Sequence, residues 1–182
     1  MRRLFRLCLV AAIAFPCTLV TVHAAGNGPP AVGQTAPGFS LPSQSGAAVS
    51  LASFRGKYVV LFFYPKDMGN GSTAEAKAFQ SNLAQYEKYG QVVGISEDPL
   101  TSHKQFAAQA GITFPLLSDT GGKVAAEYGS AGTLNGAAAA SRNTFLIDPQ
   151  GKIAKVWTNV AAPADHPAAV MQELSVKPPI VH

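Results

Sequence analysis

Seven β-forming residues follow one another without a polar break at Tyr58–Tyr64, bounded by Gly56-Lys57 and Pro65. A strand of that kind is covered on both faces, as in the middle of a sheet flanked by helices. Beyond it the apolar spacing changes to threes and fours, with Ala76, Phe79, Leu83 and Tyr86 on one stripe, which predicts a helix with one buried face. Ser72-Thr73-Ala74-Glu75 reads as a capping box opening that helix, which is predicted to run to about Tyr89 and stop at Gly90. Gln91–Ser96 is the next strand, Pro99–Ala110 a second helix stopped by Gly111, Phe114–Leu117 a short strand and Lys123–Tyr128 a short helix. Asn143–Ile147 and Ile153–Trp157 pair through Asp148-Pro149-Gln150-Gly151, and Pro163–Leu174 closes the chain with a helix. Upstream, Phe39-Ser40-Leu41 and Val49-Ser50-Leu51 suggest a small hairpin, preceded by a Gly/Pro-rich lead-in, Gly26–Gly38. The uncharged, Gly/Ala-rich stretch Gly129–Ser141 reads as a flexible surface loop. The β-α-β-α-β order, then a hairpin and a last helix, predicts an α/β domain with a mixed central sheet and helices on both faces.

The first residues follow a different grammar. Arg2, Arg3 and Arg6 precede an apolar run, Leu7–Val22, broken at Pro16, and Val22-His23-Ala24 offers small residues for processing. The unbroken apolar stretch falls short of the ~20 residues of a spanning helix, so a cleaved secretory signal is favoured over an anchor. Arg2-Arg3-Leu4-Phe5 also partly matches a twin-arginine export signal. The expected layout is a signal at 1–24, an extended lead-in at 25–38, one domain at 39–174 and a tail at 175–182. The product is expected to be exported, periplasmic or secreted, with no membrane contact after cleavage.

Removal of that signal changes the charge and sulfur inventories. The 182-residue chain carries a formal charge of +4, but without the three arginines eleven basic residues face ten acidic ones. The electrostatic case for nucleic acid disappears. Both cysteines, Cys8 and Cys17, lie in the signal, so the expected mature chain has no disulfide, no thiolate and no cysteine-based metal site. Its sulfurs are Met68 and Met171. His103, His166 and His182 show no ligand spacing, so no metal is assigned, and no cofactor is implied.

Two segments carry a family resemblance. Phe62-Phe63-Tyr64-Pro65-Lys66-Asp67, followed by Ser72-Thr73-Ala74-Glu75-Ala76, and Arg142–Ile153 resemble the signatures of peroxiredoxins of the bacterioferritin-comigratory-protein, or peroxiredoxin Q, type. The likeness runs from about Val32 to Met171 and implies a thioredoxin-like fold and thioredoxin-dependent hydroperoxide reduction. The family's site is a Pro-x-x-x-Thr/Ser-x-x-Cys run with a distant Arg. Pro65 and Arg142 match it, but Gly69 stands at the Thr position and Ser72 at that of the peroxidatic Cys. Where many members carry a resolving Cys, this chain has Lys77.

Serine cannot take over that chemistry. A thiol pKa of ~8.5 needs a modest push to give thiolate, whereas a hydroxyl lies nearer water's ~15.7. A helix terminus supplies at most ~2 kcal/mol against about 1.4 kcal/mol per pKa unit. Oxygen, moreover, has no sulfenic-acid ladder to climb. Ser72 is therefore expected to be a helix cap in a disabled site, and thioredoxin has no disulfide to reduce. Arg142, with the N–H groups of Ser72 and Thr73, is a candidate site for a small polar or anionic ligand, against the plainer reading of an Arg paired with Glu75. The main expectation is a ligand- or partner-binding module without turnover. The enzyme alternatives are residual antioxidant peroxidase activity, as the family implies, and a serine hydrolase. The second lacks a base near Ser72 in sequence and a Gly-x-Ser-x-Gly elbow. Met68 is expected to fill a gap, though sacrificial oxidation is open to it; His103 reads as a surface residue, and Tyr64 and Trp157 as core aromatics.

Overall fold

The computed structural model describes residues 28–180; the expectations for the signal, Cys8, Cys17 and His182 lie outside them. β1 (Ser40–Pro42) and β2 (Ala48–Ser50) form the antiparallel hairpin, and a 3₁₀ turn at Leu51–Phe54 leads toward β3 (Tyr58–Phe63). The remaining strands are β4 (Gly90–Ser96), β5 (Leu116–Ser118), β6 (Ala131–Leu134), β7 (Ala137–Ala140), β8 (Thr144–Ile147) and β9 (Ile153–Trp157). The helices are α1 (Asn70–Ser81), α2 (Leu83–Tyr86), α3 (Leu100–Ala110), α4 (Lys123–Glu127) and α5 (His166–Ser175).

The central sheet has the order β5-β4-β3-β8-β9, with β3, β4 and β5 mutually parallel and β8 and β9 running antiparallel to their neighbours. Its central strand explains the unbroken apolar run. Val59, Leu61 and Phe63 enter one core with Val124 and Ala125 of α4 and Leu51. Val60, Phe62 and Tyr64 enter the other with Phe79 of α1, Phe106 of α3 and Val170 and Leu174 of α5. Each face buries its own set because strand side chains alternate. The expected mixed sheet with helices on both faces is the fold observed.

Four local expectations need correction. α1 begins at Asn70 with Gly69 as its cap, in extended backbone (φ −67°, ψ 142°), and no side chain caps it. Ser72 and Glu75 do not form a capping box, because Ser72 is already the third residue of the helix; Arg142 reaches both side chains. The helix is also broken at Asn82 (φ −113°, ψ 13°). There the Asn82 amide donates to the Ala78 carbonyl at 3.1 Å and the Ser81 hydroxyl to the Lys77 carbonyl at 2.8 Å, side chains competing for the helix's own acceptors. Downstream, the stretch read as a flexible loop is the hairpin β6–β7, turning at Asn135 (φ 52°) and Gly136 (φ 81°), the Asn-Gly pair that two-residue hairpin turns favour. The last helix starts at His166, three residues later than predicted, after a turn at 163–165.

Candidate functional site

Antiparallel pairing of β8 with β3 places the residue just before β8 at the carboxyl end of β3, where α1 begins. Phe63 donates its N–H to the Asn143 carbonyl at 2.8 Å, and Arg142 is the next residue back. The β6–β7 hairpin leads directly into it, closed by the Ser141 N–H donating to the Ser130 carbonyl at 2.7 Å. Arg142 pairs through Nη1 with Glu75 Oε2 and points Nη2 at Ser72 Oγ, 3.4 Å away. Gly71 makes room for this: a Cβ there would lie 3.2 Å from Arg142 Nη2 and 3.3 Å from Pro163 Cγ.

The site is largely buried. Ser72 is 3% exposed and the Glu75 side chain is wholly buried, its Oε1 without a hydrogen-bond partner. Burial pushes the Glu75 carboxyl up to about 7, against the opposing pull of Arg142. His166, at the start of α5, bonds to Thr144 Oγ1 through Nε2 at 2.9 Å. Burial, and then Arg142, push its imidazole down to about 4. The charge of one guanidinium thus acts on both a carboxyl that resists ionisation and an imidazole that resists protonation.

The expected site residues do come together in part. Ser72, Arg142 and Glu75 form one contact group, the Arg–Glu pairing being the plainer of the two readings for Arg142. Pro65 and Gly69 bound the loop before α1. Thr73 donates its N–H to the Gly69 carbonyl at 2.8 Å, so it does not offer that group to a ligand. Helix geometry leaves the N–H groups of Asn70, Gly71 and Ser72 without intrahelical acceptors instead. Among the described residues the one hydrogen-bond partner of Ser72 Oγ is Arg142, a cation and not a base, which removes the support for a serine hydrolase.

Sequence reasoning missed a second cluster under the same loop. His103, expected at the surface, is fully buried. Its Nδ1–H donates to Asp67 Oδ2 at 2.8 Å, and the Tyr64 hydroxyl donates to Asp67 Oδ1 at 2.8 Å. Burial first, and then the Asp67 charge, hold the Tyr64 hydroxyl well above its ordinary pKa. The Asp67 N–H in turn donates to Asp98 Oδ2 at 2.8 Å, an oxygen that also accepts from the Ser96 hydroxyl at 2.7 Å. Spacing could have found His103, since it shares a helical face with Phe106 and Ala107, both buried. Tyr64 is a core aromatic as expected, while Trp157 is only partly buried, edge-on to His166.

Met68 also departs from expectation. It fills no gap: it is 43% exposed, on a backbone with φ 60°, and lines a cavity of about 500 Å³ between α1 and α3. A second cavity, about 410 Å³, lies between Trp157 and His166. A third cavity, about 740 Å³, lies elsewhere, between Phe39, Leu100 and Asp119, and includes neither Ser72 nor Arg142.

The AhpC/TSA family model matches residues 32–156. Chloroplastic peroxiredoxin Q of Triticum aestivum is 42% identical over 135 residues, which make up 74% of this chain and 62% of that protein. The chloroplastic peroxiredoxin Q of Arabidopsis thaliana is also 42% identical, with the same coverage. The match therefore spans less than two thirds of those relatives' length. Among solved structures, peroxidoxin BcpB from Mycobacterium tuberculosis superimposes with a TM-score of 0.74 at 34% identity, covering 81% of this chain and 98% of that one. A cysteine-to-serine mutant of Xylella fastidiosa PrxQ gives 0.75 at 30% identity, covering 80% and 96%.

Proposed function

The chain belongs to the AhpC/TSA family, and from that membership and the groups gathered around Arg142 we propose that it is a peroxiredoxin Q-like protein that keeps Pro65 and Arg142 of the family's ligand frame but performs no thiol-peroxidase turnover. The observation that carries the reading is the atom Arg142 addresses: a buried serine hydroxyl, in a chain with no cysteine anywhere in residues 28–180. The guanidinium and the unsatisfied N–H groups at the start of α1 present positive potential to a small, electron-rich ligand. Hydrogen peroxide and small oxyanions have that character. No atom at this position accepts the transferred oxygen, so the bound ligand leaves unchanged.

The names of the relatives favour a second reading, antioxidant peroxide reduction as in peroxiredoxin Q proper. That reading needs a thiol from Cys8, Cys17 or another protein. We also place the protein outside the cytoplasm, on the strength of the residue order at 1–24. Material from the exported fraction is then expected to begin at Ala25 by N-terminal sequencing.

The experiment measures hydroperoxide consumption with excess dithiol, using the full chain and its Cys8→Ser/Cys17→Ser variant. The proposal expects no sustained turnover by either. Turnover that vanishes in the double variant establishes the second reading, and turnover in both overturns the argument from sulfur chemistry. A parallel titration with hydrogen peroxide or sulfate, followed by the amide signals of Ser72 and its neighbours, is expected to saturate in the natural chain and to be lost in Arg142→Gln.

A further inference from the structure

We propose that Met68 is a peroxide-reactive site, at which the chain takes up one oxygen atom as methionine sulfoxide. Two ordinary reasons for a methionine are missing there. Packing is one: the side chain is 43% exposed, whereas Met171, in α5, is partly buried against the core. Backbone preference is the other. With φ 60° the residue is in the left-handed region, which glycine, asparagine or aspartate holds at less cost and which disfavours other L residues by roughly 1–2 kcal/mol. What methionine adds at this position is an accessible thioether.

The surroundings suit the product. The cavity that Met68 lines is also lined by Asn70, Thr73 and Lys77, whose side chains carry hydrogen-bond donors. A thioether is a weak acceptor, whereas a sulfoxide oxygen is a polar one. Phe106 of α3, which also lines the cavity, supplies an apolar surface. In the step itself, a sulfur lone pair attacks the terminal oxygen of R–O–O–H. The S–O bond forms, the O–O bond breaks, and the peroxide proton passes to the departing oxygen to give R–OH. Sulfur loses the two electrons that the peroxide gains, so one hydroperoxide is consumed per chain without any added reductant. The site is independent of Ser72.

The test exposes the full chain to rising equivalents of hydrogen peroxide and follows the peptides containing Met68 and Met171 by mass spectrometry. Met68 is expected to gain one oxygen several-fold faster than Met171, and the added mass is expected to reverse with a methionine sulfoxide reductase. Met68→Leu removes the fast phase. Met68→Asn does the same while relieving the backbone, so loss of the phase cannot be ascribed to misfolding. Equal rates at the two methionines, or a fast phase that survives both substitutions, would overturn the proposal. Sustained dithiol-driven turnover would instead contradict the proposed function and leave this site standing.

Discussion

Replacing Glu75 by glutamine is expected to reshape the dependence of stability on pH. The Glu75 carboxyl titrates near 7 in the folded chain against an ordinary value of 4.5. Between those pH values the folded state binds the extra proton, so this group's contribution is fully present below pH 4.5 and is lost as pH rises through 7. At about 1.4 kcal/mol per pKa unit the loss comes to roughly 3 kcal/mol. His166 works in the opposite sense: lowered from 6.5 to about 4, it makes the unfolded state the better proton binder. Its contribution is present above pH 6.5 and is lost as pH falls through 4, again by roughly 3 kcal/mol. From pH 4.5 to 6.5 the two slopes cancel in the natural chain. Glu75→Gln removes one of them, so stability should climb with pH across that window by up to about 1.4 kcal/mol per unit. Relative to the natural chain, the variant should gain roughly 3 kcal/mol between pH 4.5 and a pH above 7. Urea unfolding in a series of buffers, followed by the fluorescence of the single tryptophan, Trp157, gives both curves. A difference between them that stays constant from pH 4.5 to 7.5 would refute the assignment of the proton to Glu75.

Two further outcomes concern the elements around the site. Asp67→Asn and His103→Ala should each destabilise the fold, and their double-mutant cycle should show a coupling of about 1–3 kcal/mol, since each leaves the other's polar atoms buried and unpaired; additive effects in chemical denaturation would contradict a direct interaction. Gly136→Ala, at φ 81° in the β6–β7 turn, should cost about 1–2 kcal/mol and raise hydrogen exchange at Ala139 and Ala140, whereas a freely flexible loop would show neither effect.

The parts of this fold that were legible in the sequence are those fixed by local pattern. The run Tyr58–Tyr64 has one reading because a strand covered on both faces leaves no room for polar residues, and Gly111 stops α3 in the left-handed conformation (φ 69°) that favours glycine. Long-range contacts defeated the same logic elsewhere. Ser72 and Glu75 have capping-box spacing, but a guanidinium from 67 residues further along the chain takes the carboxylate and reaches the hydroxyl. The alanine run Ala137–Ala140 does not alternate between apolar and polar, so the hairpin was visible only in Asn135-Gly136. His103 was read from its residue type, although its partner, Asp67, lies on a loop 36 residues away. For the candidate site, Pro65, Ser72 and Arg142 stood out through the resemblance alone. Nothing in their spacing could show that Arg142 pairs with Glu75 and that its charge reaches His166.

The central claim is that the frame around Ser72 keeps Pro65, Arg142 and the start of α1, with Gly69 at the family's Thr position, and that the missing sulfur is what stops turnover. It is tested most directly by Ser72→Cys in the Cys8→Ser/Cys17→Ser background, with peroxide consumption measured under excess dithiol beside the parent variant. The account predicts sustained turnover in Ser72→Cys, a thiol pKa below the usual ~8.5, and no turnover in the parent. A folded Ser72→Cys protein that stays silent, or a parent that turns over as fast, would contradict it.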